Sequence, residues 1–289
     1  MFEGFEAIDI DVPDRGYEKA RIRVVHGGSG PPLLLLHGNP LTHVSWHKIA
    51  NELARSFHVV ATDLRGYGDS VGPRDSGPSH INYLFRAMAQ DQVDVMAELG
   101  YEKFQVAGHD RGARVTHRMC LDHPATVQHA AIIDVLPNRH IWNNVTKDWA
   151  MRSWHWLFMT QPYDLPERMM SGVPAEYFME KKLSKKGIGL QPFAKEAFAE
   201  YVRCFNEKTI HASCEDYRAC PTSDFTMDEE DFAAGKKVSC PLLIIWGSLS
   251  HTGTVFGDVL SIWQNYSAAE CLGGPIDCGH YVPEEAPKE

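Results

Sequence analysis

The sequence predicts an α/β fold, in which helices cover both faces of a mostly parallel β-sheet. Two observations lead to this fold class. Strand-length apolar runs such as "PPLLLLHG" and "CPLLIIWGS" alternate along the chain with stretches of helical periodicity. The central runs are apolar throughout, which is typical of parallel strands that are buried on both faces. A chain of 289 residues is long enough to bury the core that such a sheet requires.

Each element of the first half follows from its own pattern. "EKARIRVVHGG" alternates apolar and polar residues and predicts an early antiparallel strand, whereas "PPLLLLHG" predicts a buried one. A helix is expected around "WHKIANELARSF", followed by a strand in "HVVATDL". "YLFRAMAQDQVDVMAELG" has apolar residues at i, i+3 and i+4 and ends on Gly100, so it predicts a helix with a glycine C-cap. The strand "KFQVAGH", the helix "RGARVTHRMCLDH" and the strand "QHAAIIDVL" complete this half.

The character of the sequence changes after Pro137. Residues 137–236 are rich in Trp, Met, Tyr and Pro and contain no strand-like apolar run. We therefore expect an α/β core, residues 1–136 and 237–289, into which residues 137–236 are inserted as a helical cap. The core resumes with the strand "CPLLIIWGS", a helix near "VFGDVLSIWQNY" and a last strand before "DCGHYVPEE". Only nine residues follow His280, too few for a helix that would cover this strand, so we expect that helix to be missing from the chain.

Composition and charge argue against several classes of protein. The formal net charge of −10 at pH 7 disfavours nucleic acid or an anionic membrane as a partner. No apolar run approaches the length of a membrane span, and the acidic N-terminus lacks the pattern of a signal peptide. Seven cysteines without a C-x-x-C pair indicate free thiols in a cytoplasmic protein. An anionic substrate would need positive charge supplied locally.

The stretch "VAGHDRGARV" places Asp110 where the G-x-S-x-G turn of serine hydrolases has its nucleophile. Ligands of an open parallel sheet bind at the carboxyl ends of the strands, and "HGNP", "GHDRG", "DVLP" and "CGHYVP" all follow strands. These ends supply Asp110, Asp134 and His280, the carboxylate version of a nucleophile triad. Asp is also a favoured helix N-cap, but the flanking glycines and the downstream partners favour a catalytic Asp110. Asp258 is the second choice as the acid that partners His280, because we expect it within a helix.

Eight segments carry a family resemblance that covers nearly the whole chain. They are "LLLHGNP", "DLRGYGDS", "RAMAQDQ", "AGHDRGARV", "HRMCLDHP", "WHWLFMTQP", "CEDYRA" and "GHYVPEE". On these segments the chain resembles the α/β-hydrolase fold and, within it, the haloacetate dehalogenases, particularly the fluoroacetate dehalogenases. The most specific combination is "GHDRG" followed by Arg114, together with "HW" and the later "DYRA", both in the predicted cap. The resemblance implies hydrolysis of fluoroacetate or chloroacetate to glycolate and halide, without a cofactor or a metal, by a homodimer.

A carboxylate nucleophile suits the cleavage of a carbon–halogen bond. In-line attack by Asp110 on the saturated carbon leaves an alkyl ester on the enzyme, whereas a serine would leave an ether that water does not readily hydrolyse. A water deprotonated by His280 can then open the ester at its carbonyl, with Asp134 orienting the imidazole. We expect the backbone N–H groups of Asn39 and Arg111 to hold the resulting oxyanion.

Arg111 and Arg114 lie three residues apart at the start of a helix, so their side chains can share a face. The repulsion between Asp110 and a substrate carboxylate is on the order of 4 kcal/mol at ~4 Å in an effective dielectric of about 20. A pair of arginines offsets this repulsion and orients the substrate. The sequence therefore predicts that Arg111 and Arg114 bind the carboxylate of a small anionic haloacid.

Three side chains of the cap complete the expected site. The resemblance implies that the departing halide accepts hydrogen bonds from His155, Trp156 and Tyr217. Asn39 departs from the family, which usually has an aromatic residue at this position, and here the chain resembles the haloalkane dehalogenases instead. A haloalkane dehalogenase is therefore one alternative.

An epoxide hydrolase is the main alternative, because it shares the nucleophile, the histidine and the fold. It would need two cap tyrosines as donors to the epoxide oxygen, and the cap offers Tyr163, Tyr177 and Tyr201 besides Tyr217. Arg111 argues against it, because a neutral substrate has no use for a buried cation. A non-catalytic member that binds a small ligand in the same pocket is less favoured, since the triad is intact.

Overall fold

The computed structural model describes residues 1–74, 76–184 and 188–289. These residues form one eight-stranded sheet in the order β1-β2-β4-β3-β5-β6-β7-β8. The strands are β1 (Glu6–Val12), β2 (Ala20–Gly27), β3 (Pro32–Leu36), β4 (His58–Thr62), β5 (Phe104–His109), β6 (Val127–Ile133), β7 (Leu242–Gly247) and β8 (Cys271–Ile276). Strand β2 is antiparallel to both β1 and β4, and every other neighbouring pair is parallel. The mostly parallel sheet predicted from the sequence is confirmed.

Helices connect the strands and fill the segment between β6 and β7. Those of the first half are α1 (Ala50–Leu53), α2 (Phe85–Glu98) and α3 (Arg111–Asp122). Between β6 and β7 lie α4 (Asn138–Asn143), α5 (Lys147–Arg152), α6 (Trp154–Met159), α7 (Leu165–Ser171), α8 (Ala175–Leu183), α9 (Lys195–Cys204), α10 (Glu207–Ala219) and α11 (Ser223–Ala233). The chain continues with α12 (His251–Val255), α13 (Val259–Gln264) and α14 (Val282–Glu285). No helix of the described ranges is both long and apolar enough to cross a membrane.

The run "PLLLL" of β3 shows why the central strands are apolar throughout. Leu34 and Leu36 pack into the large cluster that includes residues of α2 and α3. Leu33 and Leu35 point the other way and pack with Trp46 in a second cluster. Because successive side chains of a strand face opposite sides, a strand covered on both sides needs apolar residues at every position.

Three elements differ from the sequence prediction. Strand β1 was not predicted, and it pairs with β2 along its whole length. The helix expected over residues 46–57 is reduced to α1, which follows a short 3₁₀ helix that begins after the side-chain cap Thr42. The helix expected over residues 255–266 is interrupted between α12 and α13, where Gly257 has φ +76°. Such a backbone angle is left-handed and cannot continue a right-handed helix.

Candidate active site

The turn around Asp110 has the strained geometry that its glycines predict. Asp110 lies between the end of β5 and the start of α3 and has φ +51°, in the left-handed region. A Cβ atom on Gly108 would lie 2.3 Å from the backbone oxygen of Gly112, and one on Gly112 would lie 2.3 Å from that of Leu36. Only glycine fits at either position, so the turn can hold the carboxylate of Asp110 at the carboxyl end of the sheet.

The carboxylate of Asp110 is held by a backbone amide and a histidine. Its Oδ1 accepts a hydrogen bond from the Asn39 N–H at 2.9 Å, and its Oδ2 lies 3.5 Å from Nε2 of His280. Burial would raise the pKa of Asp110, but the hydrogen bond and charge of His280 outweigh it and hold that pKa well below its usual value. Asp110 is therefore ionised at neutral pH, as a nucleophile must be.

His280 contacts a second carboxylate through its other ring nitrogen. Nδ1 lies 2.5 Å from Oδ2 of Asp134, the residue that directly follows β6. The Oδ1 atom of Asp134 accepts hydrogen bonds from the Gly247 N–H at 2.9 Å and from the Ser250 hydroxyl at 2.6 Å. These contacts fix the Asp134 carboxylate so that one oxygen faces the imidazole. The structure thus brings together the three residues that the sequence predicted as a triad.

Asp258 has a different position. It is the N-cap of α13, where its side chain accepts a hydrogen bond from the Ser261 N–H at 3.1 Å, and it is exposed. The side chain of an exposed N-cap is held by the backbone of its own helix and needs no buried ionic partner. The geometry around His280 favours Asp134 over Asp258 as its partner.

The guanidinium of Arg111 is buried and bound to a carboxylate of α10. Nε donates to Oδ2 of Asp216 at 2.8 Å, and Nη2 binds both Oδ1 and the backbone oxygen of the same residue. The guanidinium carbon lies 4.7 Å from the centre of the Phe85 ring and 4.4 Å from that of Tyr217. Arg111 does not line the cavity beside Asp110. The predicted contact between Arg111 and a substrate carboxylate stays a prediction.

Arg114 lines the cavity and has no carboxylate partner among the residues described. Its guanidinium carbon lies 4.7 Å from the centre of the Trp156 ring, and Nη1 donates to the backbone oxygen of Leu136 at 3.2 Å. Its Nε is buried without a hydrogen-bond partner. Burial and the charge of Arg111 lower the pKa of Arg114, but a guanidinium keeps its charge at neutral pH. A buried cation without a counter-ion is expensive, so this arrangement favours an anionic ligand.

A cavity of about 780 Å³ connects these groups to the segment between β6 and β7. Its lining includes Asp110, Arg114 and His280, together with the three predicted halide donors of the segment between β6 and β7, His155, Trp156 and Tyr217. Burial, with the charge of Lys182, lowers the pKa of His155 well below its usual value, so that ring is neutral and keeps one N–H. Burial, with the charge of Asp110, raises the pKa of Tyr217, so its hydroxyl keeps its proton. The lining of the cavity therefore combines neutral donors with the carboxylate of Asp110.

The other cap tyrosines lie elsewhere. Tyr163 is 62% exposed and Tyr177 is 54% exposed, although Tyr177 contributes to the outer lining of the cavity. Tyr201 is fully buried and donates its hydroxyl to Oε1 of Glu284 at 2.6 Å. Tyr217 is thus the one of these four tyrosines that is both buried and part of the cavity lining.

Sequence reasoning missed three residues that hold the site in place. Asp216 binds Arg111, the Tyr67 hydroxyl donates to Oδ2 of Asp216 at 2.7 Å, and Ser250 binds Asp134. Each acts on a residue far away in the chain, so no local spacing indicates it. The one available signal was the segment "CEDYRA", in which Asp216 directly precedes the predicted halide donor Tyr217.

Comparisons with known proteins match this architecture. A family model described as alpha/beta hydrolase fold matches residues 31–287. A fluoroacetate dehalogenase of Burkholderia sp is 41% identical over 290 residues, which cover 100% of this chain and 92% of the relative. The soluble epoxide hydrolase of Corynebacterium sp. (strain C12) is 32% identical over 274 residues, covering 93% of this chain and 90% of the relative. A crystal structure from Nostoc sp PCC 7120, assigned to the alpha/beta hydrolases, is similar with a TM-score of 0.93 and 49% identity, covering 100% and 96% of the two chains.

Proposed function

The chain belongs to the alpha/beta hydrolase fold family, and within it we propose that the protein hydrolyses a haloacetate, fluoroacetate or chloroacetate, to glycolate and halide. The observation that carries this proposal is the buried guanidinium of Arg114, which has no carboxylate partner among the described residues and lies in the same cavity as the ionised Asp110. A nucleophilic carboxylate beside a cation that lacks a counter-ion suits a substrate that is itself a carboxylate. The similarity to the fluoroacetate dehalogenase of Burkholderia supports the same substrate class.

In the first step, Asp110 attacks the carbon that carries the halogen. An oxygen of its carboxylate forms a bond to that carbon, the carbon–halogen bond breaks, and the halide leaves with the bonding electrons. The Arg114 guanidinium receives the substrate carboxylate and offsets its repulsion from Asp110. The product of this step is an alkyl ester on Asp110 and a free halide.

The halide departs toward the cap. His155, Trp156 and Tyr217 supply an imidazole N–H, an indole N–H and a hydroxyl, none of which is a strong nucleophile in its neutral form. Donors that are fixed before the reaction stabilise the negative charge as it develops on the halogen. We propose these three residues as the halide site, because they line the same cavity as Asp110.

In the second step, water opens the ester. Ester formation removes the negative charge of Asp110 and lowers the pKa of the neighbouring His280, so the imidazolium releases its proton to solvent. The neutral ring then takes a proton from water. The hydroxide attacks the carbonyl carbon of the Asp110 ester, and the Asn39 N–H, which already contacts Oδ1, stabilises the oxyanion together with the Arg111 N–H. The intermediate collapses, the glycolate oxygen leaves with the proton that His280 took from water, and Asp110 returns to a carboxylate.

The remaining expectations extend this proposal. We propose that residues 137–236 act as a cap over a core of residues 1–136 and 237–289, that no cofactor takes part, and that the enzyme is a cytoplasmic homodimer. Exposed apolar side chains on consecutive cap helices, among them Met151, Trp154 and Met169, offer a surface for a second copy. Light scattering of the purified protein gives the oligomeric state directly.

Epoxide hydrolysis is the second candidate, favoured by the similarity to the Corynebacterium enzyme. It needs two tyrosine donors near the nucleophile, and Tyr217 is the one buried tyrosine of the four candidates in the cavity lining. A haloalkane dehalogenase is favoured only by Asn39, whose side chain lies in that lining. Neither reaction explains the unpaired Arg114, because both substrates are neutral.

One assay separates these activities. The purified protein is incubated with fluoroacetate, chloroacetate, a haloalkane and styrene oxide, and released halide and diol are measured. We expect halide from the haloacetates only. The absence of halide from both haloacetates would overturn the proposal, and diol from styrene oxide would favour the second candidate.

A His280→Gln variant tests the covalent step. Without a base, the ester on Asp110 should form once and persist, so halide is released in a burst of one equivalent and intact-protein mass spectrometry finds one carboxymethyl group per chain. An Asp110→Asn variant is the control and should give neither burst nor adduct. Continued turnover by Asp110→Asn would exclude Asp110 as the nucleophile.

A further inference from the structure

The ion pair between Arg111 and Asp216 joins the core to the cap at the reaction site. Arg111 is the first residue of α3, and Asp216 belongs to α10 of the segment between β6 and β7. Both side chains have no exposed surface. The carboxylate of Asp216 binds two nitrogens of the guanidinium, and the Tyr67 hydroxyl donates to its Oδ2 at 2.7 Å. Two side chains, those of Arg111 and Tyr67, therefore hold the carboxylate of Asp216.

The residues next to this pair are the proposed nucleophile and a proposed halide donor. Asp110 directly precedes Arg111, and Tyr217 directly follows Asp216. The Arg111 guanidinium also lies over the face of the Tyr217 ring, 4.4 Å from its centre. The ion pair thus connects the backbone at the nucleophile to the backbone at a halide donor through one buried, bidentate contact.

The pair also determines which charge faces the cavity. Asp216 neutralises Arg111, which does not line the cavity, whereas Arg114 does and has no carboxylate partner among the described residues. A substrate anion therefore meets one uncompensated arginine. Without Asp216, the Arg111 side chain would be free to turn toward the substrate or toward Asp110.

We propose that Asp216 is a positioning residue, which acts through Arg111 to set the place of the Tyr217 hydroxyl relative to Asp110 and to leave Arg114 as the cation that receives the substrate carboxylate. This inference rests on the proposed dehalogenation. It concerns the departure of the halide, because the Tyr217 hydroxyl acts on the leaving group and the nucleophile itself is unchanged.

The nature of the leaving group distinguishes positioning from general support of the fold. Fluoride leaves a saturated carbon far less readily than bromide and depends more strongly on hydrogen bonds that form in the transition state. A displaced Tyr217 hydroxyl should therefore slow the release of fluoride much more than that of bromide. A loss of folded protein would lower both rates by the same factor.

A second buried ion pair provides a matched control. Arg118, further along α3, binds Asp228 of α11 at 2.6 Å, so this pair also joins α3 to the segment between β6 and β7. Asp228 is not in the cavity lining. Arg118 keeps Asp122 and Asp231 as partners when Asp228 is changed. An Asp228→Asn variant therefore loses a comparable contact outside the cavity lining, and any effect on Arg114 is the same for both substrates, because both carry the same carboxylate.

The experiment measures halide release in a single turnover, with enzyme in excess over fluoroacetate or bromoacetate. We expect Asp216→Asn to slow fluoride release about 30-fold or more and bromide release about threefold or less, in the range of losing one transition-state donor. Tyr67→Phe, which removes one hydrogen bond from Asp216 and leaves the ion pair intact, should slow fluoride release about threefold. Asp228→Asn should leave the ratio of the two rates as in the wild type.

The outcomes separate the two proposals. If the wild type releases no halide from either substrate, the proposed function is wrong and this inference fails with it. If the wild type is active but both rates fall by equal factors in Asp216→Asn, or neither falls, only the positioning role is overturned. If Asp216→Asn does not fold, Tyr67→Phe decides: an unchanged ratio of fluoride to bromide release overturns the role, and a lowered ratio supports it.

Discussion

Nε2 of His280 lies 3.5 Å from Oδ2 of Asp110, while Nδ1 of the same ring lies 2.5 Å from Oδ2 of Asp134. Two carboxylates therefore flank one imidazole. Burial favours the neutral ring, but the two carboxylates outweigh it and raise the pKa of His280 to about 9. The resting protein holds an imidazolium at neutral pH, and the ring becomes a base only when one of the two negative charges is removed.

The raised pKa of His280 predicts a loss of stability in alkaline solution. An unfolded histidine has a pKa of about 6.5, so the folded protein binds this proton more tightly. The resulting stabilisation is complete below that value and is lost as the pH rises through about 9. Allowing for the partly exposed ring, we expect the free energy of unfolding to fall by on the order of 2 kcal/mol across this range, measured by urea denaturation. A His280→Gln variant should lack this part of the pH dependence. If its free energy of unfolding fell with pH as steeply as that of the wild type, the loss of stability would not come from His280.

Arg114 should favour substrate binding at the expense of stability. In Arg114→Met the substrate carboxylate loses its cation, and we expect KM for a haloacetate to rise about 100-fold. The same change removes a buried charge that has no counter-ion, so the free energy of unfolding should increase by about 1–3 kcal/mol. Steady-state kinetics and urea denaturation measure the two effects.

Arg114→Lys is the matched variant for this prediction. It keeps the charge and loses the planar fork, so KM should rise by less than in Arg114→Met and the free energy of unfolding should not increase. A KM that is unchanged in Arg114→Met would show that the substrate carboxylate binds elsewhere, with Arg111 as the next candidate.

The core of the fold could be predicted because its signals are local. Each central strand is a short apolar run, and the carboxyl ends of parallel strands meet at one edge of the sheet, which is why Asp110, Asp134 and His280 could be grouped from the sequence. Strand β1 also carried a signal, the alternation in "AIDIDV", that was not used. Its acidic residues Asp9 and Asp11 pair with Arg23 and Arg21 on the neighbouring strand.

The environment of Arg111 could not be predicted in the same way. Its partner Asp216 is 105 residues away in the chain, on a helix of the segment between β6 and β7. The packing of that helix depends on long-range contacts, and no periodic pattern in the sequence around either residue indicates the pair. The sequence therefore indicated two equivalent arginines, whereas the structure contains one neutralised by Asp216 and one, Arg114, without a carboxylate partner in the part of the chain that it describes.

The glycines around Asp110 should be intolerant of any side chain. A Cβ atom on Gly112 would lie 2.3 Å from the backbone oxygen of Leu36, which belongs to a central strand and cannot move aside cheaply. We expect Gly112→Ala to lower the free energy of unfolding by about 3 kcal/mol, at the upper end of the usual cost of overpacking. Gly274→Ala in β8 is the control, since its Cβ meets no atom within 4 Å and should change stability by less than about 0.5 kcal/mol. Equal effects in thermal or urea denaturation would contradict the tight packing of the turn.

The choice between Asp134 and Asp258 gives the sharpest test of the triad. Oδ1 of Asp134 receives two donors, the Gly247 N–H and the Ser250 hydroxyl. In Asp134→Asn the amide oxygen must occupy the position of Oδ1, because only an oxygen can accept these two hydrogen bonds. The amide nitrogen then faces Nδ1 of His280 and donates to it, so the ring proton must lie on Nε2. A ring in that form cannot take a proton from water, and we expect kcat to fall by about 10³–10⁴ with the ester accumulating on the enzyme.

Asp258→Asn is the matched change at the alternative residue. Asparagine is as good an N-cap as aspartate, so α13 should keep its start, and we expect kcat within about twofold of the wild type. Glycolate formation in the steady state and the mass of the intact protein after mixing with substrate measure both variants. If Asp258→Asn accumulated the ester while Asp134→Asn turned over normally, the carboxylate at 2.5 Å from His280 would have no catalytic role, and the second step would have to draw on an acid that reaches the ring only in the presence of substrate.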